Sequence, residues 1–408
     1  MTSRIYAAGL LLYGPAGRAL VGGAVLVDGT TIADVGPRAE VVARAAPGTP
    51  VADFPGAALL PGLIDTHVHL SFDAGPDPVA ALLAGDDRTL PFSVAGRARL
   101  LLDHGVTTVR DLGDRDGVVA ALRDAIDQGL LIGPRVLSAG SPVTIPGGHC
   151  WFLGGEAKGT DGIRAVIRRN VAAGADWIKV MATGGTLTPD GPAPAEPQFT
   201  TAELTFAVQE AHSAGKRVAA HVHGAAGVEA ALDAGVDTLE HCSFIAAGGT
   251  GAGPEERPDL VDRIAATGTY VCPTYSGSLD LAARSIGPER MRPWLDVALH
   301  QHERGVRLVA GTDAGIRGAG FDDYATGLEW FGRAGLPADV VLEMATSRAA
   351  EALGLGDRTG RLAAGLDADL VLVDGDPRAD LSVLRSPALV VTRGRPHLPP
   401  AAAERGLG

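Results

Sequence analysis

Two histidines stand two residues apart in His67-Val68-His69, closing an apolar run that begins at Gly62. Side chains at i and i+2 leave a strand on the same side, so the two imidazoles face one way together. Buried imidazoles need partners, and a divalent metal ion is a natural one. Alone, the motif suits a structural histidine pair equally well. The same residue types recur elsewhere, however. Lys179 stands in Trp177-Ile178-Lys179-Val180, and two more histidines in Ala220-His221-Val222-His223-Gly224. Glu240-His241-Cys242 follows, and then Asp313 in Gly311-Thr312-Asp313-Ala314-Gly315. Imidazole nitrogens and carboxylate oxygens in one place make a site for metal-assisted hydrolysis.

Each of these motifs ends a short apolar, β-branched run, except that Lys179 lies within its run. Runs 62–69, 106–112, 134–139, 177–182, 217–223, 237–242, 269–274 and 307–312 read as eight strands. Helical stretches lie between them. Gly105, Gly215 and Gly305 each stand where a helix would stop before a strand. Thr200-Thr201-Ala202-Glu203 has the form of a capping box opening a helix that runs to Ala214. Stretch 162–173 puts Ile163, Val166, Ile167 and Val171 near one face, and 224–234 and 291–303 read similarly. Strands alternating with helices imply a parallel sheet, and eight such units imply a (β/α)8 TIM barrel with its active site at the C-terminal strand ends. The candidate residues fall at those ends. A barrel interior is normally filled by Val, Ile and Leu, so several histidines, a lysine and an aspartate there without function would be strongly destabilising.

The two ends of the chain read differently. Segments 4–12, 24–28 and 31–35 look like short strands, with a hairpin signal in Val27-Asp28-Gly29-Thr30. After a last helical stretch, 337–353, the β pattern returns at 370–373 and 388–392. The fold class is therefore α/β: a metal-binding barrel over 59–356, and a small β-sandwich domain composed of 1–58 plus 357–408. The Pro/Gly-rich stretch 188–197 is expected to be a loop over the barrel mouth.

Composition narrows the partners. With 46% hydrophobic and 20% charged residues the 408-residue chain is globular. A net charge of −13 argues against nucleic acid or an anionic membrane as partner. Residues 1–12 lack the pattern of a secretory leader, and no apolar run is long enough to span a membrane. Cys150, Cys242 and Cys272 lie far apart, an odd set that fits reduced core thiols and a cytoplasmic location.

Taken together these residues resemble the amidohydrolase superfamily. The matching elements are Pro61-Gly62-Leu63-Ile64-Asp65-Thr66-His67-Val68-His69, Lys179, His221, His241 and Asp313, followed by Ala364-Gly365-Leu366-Asp367-Ala368-Asp369-Leu370. The resemblance spans essentially the whole chain. Lys179 through Gly184-Gly185, and the pair His221 and His223 ahead of His241, are similar to the branch with imidazolonepropionase-like proteins, Xaa-Pro dipeptidases and ochratoxinase. The resemblance implies two divalent metal ions, zinc being the expected one. His67, His69 and Asp313 would hold the more buried ion, and His221 and His241 the other. His223 shares a face with His221 and is the alternative strand-five ligand. Lys179 would bridge both ions as a carbamate formed with CO2, because an ammonium has no lone pair to offer; a salt-bridging lysine is the alternative.

A mechanism follows from that set. The ions would bring a bridging water's pKa toward neutrality, and Asp313 would take its proton and pass it to the leaving amine. His223, His149 after Gly147-Gly148, Tyr275 and Arg110 are the candidate substrate contacts. The expected reaction is cleavage of an amide or peptide bond in an Xaa-Pro-type dipeptide, an N-acyl amino acid or an ochratoxin-like amide. A cyclic-amide hydrolase or deaminase of the imidazolonepropionase type is the alternative, and a non-catalytic scaffold a distant third. Similar proteins are often homo-oligomers, which is the expectation here.

Overall fold

A computed structural model describes residues 3–15, 18–249 and 253–404. Strands β1 (Arg4–Leu12), β2 (Ala19–Asp28), β3 (Thr31–Pro37) and β4 (Val51–Pro61) come first. They are followed by β5 (Leu63–Val68), β6 (Val106–Asp111), β7 (Arg135–Ser138) and β8 (Trp177–Met181). Next come β9 (Arg217–Val222), β10 (Thr238–His241), β11 (Tyr270–Cys272) and β12 (Arg307–Leu308). The chain ends with β13 (Leu370–Asp374), β14 (Leu389–Thr392) and β15 (Arg395–His397).

The middle strands are all parallel, in the sets β5-β6-β7 and β8-β9-β10-β11-β12. Helices separate consecutive strands, as parallel connections require. Thr201–Ser213 is opened by the expected capping box: the Glu203 amide donates to Thr200 Oγ1, and Glu203 Oε2 accepts from the Thr200 amide. Backbone bonds also run between the sets. Val143 N donates to Lys179 O at 2.8 Å and Asp313 N to His67 O at 2.8 Å. The apolar residues of these strands and helices form the largest buried cluster, which includes Val68, Val109, Ile178, Val222 and Leu239.

Residues from both ends of the chain form one seven-stranded sheet in the order β15-β14-β13-β4-β1-β2-β3, antiparallel except between β1 and β4. β4 has no counterpart in the sequence reading, because Pro55-Gly56 interrupts its β pattern. A register shift between Ala8 and Leu10 accommodates that interruption; a side chain at Gly9 would strike the Pro55 carbonyl. One helix was not read from the sequence, and one expected helix changed. The segment 71–89 carries a helix, Pro78–Ala84, capped by Asp77. The single helical stretch expected over 337–353 is two helices, Ala338–Met344 and Ser347–Leu353. Thr346 breaks it, its hydroxyl bonding back to the Leu342 carbonyl at 2.6 Å. The freed carbonyls of Met344 and Ala345 accept from Ala310 N and Ile64 N, tying the break to β5, which carries His67, and to the segment that leads from β12 to Asp313.

Candidate metal centre and active site

Asp65, His67 and His69 share one face of β5 and its extension, and all three are buried. The Asp65 carboxylate accepts from the amides of His67 and Thr312, both at 3.1 Å, and from the Thr312 hydroxyl at 2.6 Å. That clamp holds the end of β5 against the segment bearing Asp313. Burial raises the Asp65 carboxyl to about 7. His69 Nε2 lies 3.1 Å and His67 Nε2 3.3 Å from Asp313 Oδ1, and the two nitrogens are 3.3 Å apart. Three donor atoms thus converge on one point. A second convergence joins His221, His223 and His241, whose ligand atoms all lie within 4.8 Å of one another. The two groups adjoin: the His67 and His241 ring centroids are 5.1 Å apart.

The far side of most of these imidazoles is occupied. His67 Nδ1 meets Glu240 Oε2 at 2.9 Å, His241 Nδ1 meets Thr274 Oγ1 at 2.9 Å, and His223 Nδ1 meets Ser243 Oγ at 2.8 Å. His69 Nδ1 faces Gly113 O at 3.4 Å, and His221 uses Nε2, 3.0 Å from Gly184 O. Such outer partners fix the tautomer and aim the remaining nitrogen inward. The backbone takes unusual paths to achieve this. His241, Thr274 and Asp313 have φ of 66°, 59° and 61°, a left-handed conformation that is costly for residues with a Cβ, and most for a β-branched one. Gly311 lets His67 sit where it does, since an added Cβ would stand 2.9 Å from the His67 Cβ.

Electrostatics suit cation binding. Burial holds the His221 and His241 imidazoles well below their usual range and brings His223 to about 4, so their lone pairs are free at neutral pH. Burial works to raise the Asp313 carboxyl, but His67 and His69 beside it hold it well below the carboxylate range. Lys179 is fully buried, and its Nζ has no hydrogen-bond partner among the described residues. Burial lowers its pKa, with Glu240 and Asp313 opposing. An unpaired buried ammonium is expensive, and neutral amine or conversion to an anion relieves that cost.

His149 is buried against His221, with ring centroids 4.5 Å apart, and burial lowers its imidazole to about 3. Gly185 makes room for that ring, for a Cβ there would collide with it. His223 and Tyr275 line a large cavity beside the histidines, but the Tyr275 hydroxyl donates to the Trp294 carbonyl at 3.3 Å and its ring stacks on Phe331. Arg110 lies elsewhere than expected, which corrects its reading as a substrate contact. It is fully buried beneath the histidines, its guanidinium donating to the Thr66 carbonyl, Thr238 and Glu240. The three cysteines are buried and unpaired; Cys272 lies close enough to His67 and Glu240 for their ligand atoms to group within 4.8 Å.

Glu240 is the residue that sequence reasoning missed. Burial alone would raise its carboxyl, yet Arg110 and His67 bring it below the ordinary range. Its signal was weak because it precedes His241 directly. Strand alternation sends neighbours to opposite faces, and only the left-handed turn at His241 lets both reach the same interior.

A profile of the amidohydrolase family matches residues 58–396. The chain therefore belongs to the amidohydrolase family, and it is a hydrolase acting on carbon–nitrogen bonds. It is 28% identical over 422 aligned residues to ochratoxinase of Aspergillus niger, covering 94% of this chain and 83% of that one. Imidazolonepropionase of Micrococcus luteus is also 28% identical, over 94% of this chain and 93% of its own length. Among solved structures, a Xaa-Pro dipeptidase with bound methionine in its active site matches with a TM-score of 0.85 and 29% identity, covering 97% of this chain and 100% of that one. No described helix is long and apolar enough to cross a membrane.

Proposed function

We propose that this protein is a binuclear metal-dependent amidohydrolase that cleaves an amide or peptide bond. One observation carries the reading: the partnerless, buried Lys179 amine lies in the electrostatic field of Asp313 and Glu240, beside two convergent sets of metal-ligand atoms. The donor types fit the group, since neutral imidazoles and a carboxylate suit zinc. His67, His69 and Asp313 would hold one ion, and His221 and His241 the other, with Lys179 as a CO2-derived carbamate between them. His223 is the alternative ligand to His221. When bound, the ions supply acidified water and polarise a carbonyl. Asp313 takes the proton from the attacking water and returns it to the amine nitrogen as the C–N bond breaks. His149 and His223 border the place where the substrate would lie.

The same reading includes a closed (β/α)8 barrel over 59–356 and a composite β-sandwich domain of 1–58 plus 357–408. Backbone bonds linking β8 to Val143, and β5 to the Asp313 segment, support closure. A buried cluster joining Tyr6, Val25 and Ile32 to Leu362, Leu370 and Val391 supports a terminal sheet curved around its own core. Dipeptides of the Xaa-Pro type, N-acyl amino acids and ochratoxin-like amides are the proposed substrates, given the dipeptidase and ochratoxinase likeness. A cytoplasmic homo-oligomer is the proposed setting.

Metal content of the purified protein, prepared with Zn²⁺ and bicarbonate, tests the reading. About two equivalents per chain, with turnover of a member of that substrate set, is the expected result. One equivalent would shift the reading to a mononuclear cyclic-amide hydrolase or deaminase of the imidazolonepropionase type, and none to a scaffold.

A further inference from the structure

A cavity of about 810 Å³ opens directly from the histidines, with His223, His241 and Thr274 forming its inner wall. Pockets of about 300–1,000 Å³ hold drug-sized ligands, so this space far exceeds one small side chain. Its outer wall comes from two helices, Ser278–Ile286 and Pro288–Glu303. The first presents Leu279, Ala282 and Ile286, spaced at helical intervals along one face; the second presents Trp294, Val297 and Ala298. Ser278–Ile286 has no buried residue of its own. It is fastened on its other side by polar contacts, with Trp330 Nε1 and Arg333 both donating to Asp280. Leu279 and Ala283 pack against the main buried cluster, while Leu279, Ala282 and Ile286 border the cavity. Apart from the histidines, the only charged side chains among the described lining residues are Glu289 and Arg290, both exposed. Among the described lining residues there is no buried lysine or arginine to meet a carboxylate.

We propose that one side of the scissile amide carries a large, neutral, apolar group, a long acyl chain or a fused aromatic ring system, which occupies this cavity. The inference rests on the amidohydrolase reading and narrows it, because free dipeptides with small side chains would leave the space unused. Burying apolar surface contributes about 0.8 kcal/mol per methylene, or roughly three- to fourfold in kcat/KM.

Two substrate series test this with the metal-loaded protein. One varies the acyl side through N-acetyl-, N-hexanoyl- and N-decanoyl-L-alanine. The other varies the amine side through N-acetyl-L-alanine, -L-leucine, -L-tryptophan and -2-naphthylalanine. The expected result is a rise in kcat/KM of roughly three- to fourfold per methylene along one series until the cavity is full. Ala282→Trp, which would occupy the space from the outer wall, is expected to collapse the long-to-short ratio. A flat response in both series, with the short members still hydrolysed, overturns the inference and leaves the amidohydrolase reading standing. A binding arm keeps the test decisive if no member is turned over. Titrating the metal-free protein with decanoate and with acetate should change tryptophan emission for decanoate alone, and Trp294→Phe should remove the change. Equal responses to both acids, or none, would also overturn the proposal.

Discussion

His67 sits at the centre of a relay that reaches well below the metal-ligand atoms. Its Nδ1 rests on Glu240, Glu240 on Arg110, and Arg110 on the Thr66 carbonyl one residue before His67 itself. The loop closes on its own strand, so the orientation of one imidazole is set by a buried ion pair. Outer partners of this kind are typically worth 10- to 100-fold in metal affinity or activity. Glu240→Gln keeps the shape and removes the charge, and a loss in that range is expected in a zinc titration. Unchanged affinity would strip Glu240 of this part. Lys179→Ala removes the one amine placed to become an anionic ligand. It should abolish hydrolysis, and millimolar acetate or propionate should restore part of it, a recovery that steady-state assays read directly. Full activity without rescue would remove the bridging role.

Among the elements, the β-strand ends do the positioning and the helix termini hold them in register. Thr200 illustrates how local this can be. Its hydroxyl and amide both exchange bonds with Glu203 at the start of Thr201–Ser213, the helix that follows the 188–197 loop and precedes β9. Thr200→Ala should lower unfolding free energy by about 0.5–2 kcal/mol, measured by urea denaturation, with kcat/KM little changed. The break at Thr346 is a contrasting case. Periodicity ran unbroken over 337–353, and no turn residue announced the interruption. Only the demand of Ile64 and Ala310 amides for acceptors makes sense of it.

Across the whole molecule, the terminal sheet is tied to the central strands by charge as well as by chain continuity. Arg135 on β7 donates to Asp367 at 2.7 Å and to Asp369 at 3.1 Å, and Asp369 is buried. Asp369 also accepts from Thr359 and from the Arg393 amide. Arg135→Met takes the cation from the buried Asp369, while the half-buried Asp367 keeps Arg358 at 2.9 Å, and should cost about 3 kcal/mol, read as an earlier midpoint in thermal or urea unfolding. A variant as stable as the parent would show that the remaining donors suffice.

The sequence by itself determined the parallel strand–helix alternation, the parity that sets His67 beside His69, and the strands and following segments that carry Lys179, His221, His241 and Asp313. These are encoded locally, in spacings of two or four residues and in capping signals, so they are legible without the fold. Tertiary structure alone decided the rest. It paired Glu240 with His67 across β10 and β5, sent Arg110 inward instead of toward substrate, and left the Tyr275 hydroxyl on Trp294. It also left an apolar cavity between the histidines and two helices whose sequences look like ordinary amphipathic ones. Each of those depends on which distant residues meet and on backbone bends at His241 and Thr274 that no short-range pattern encodes.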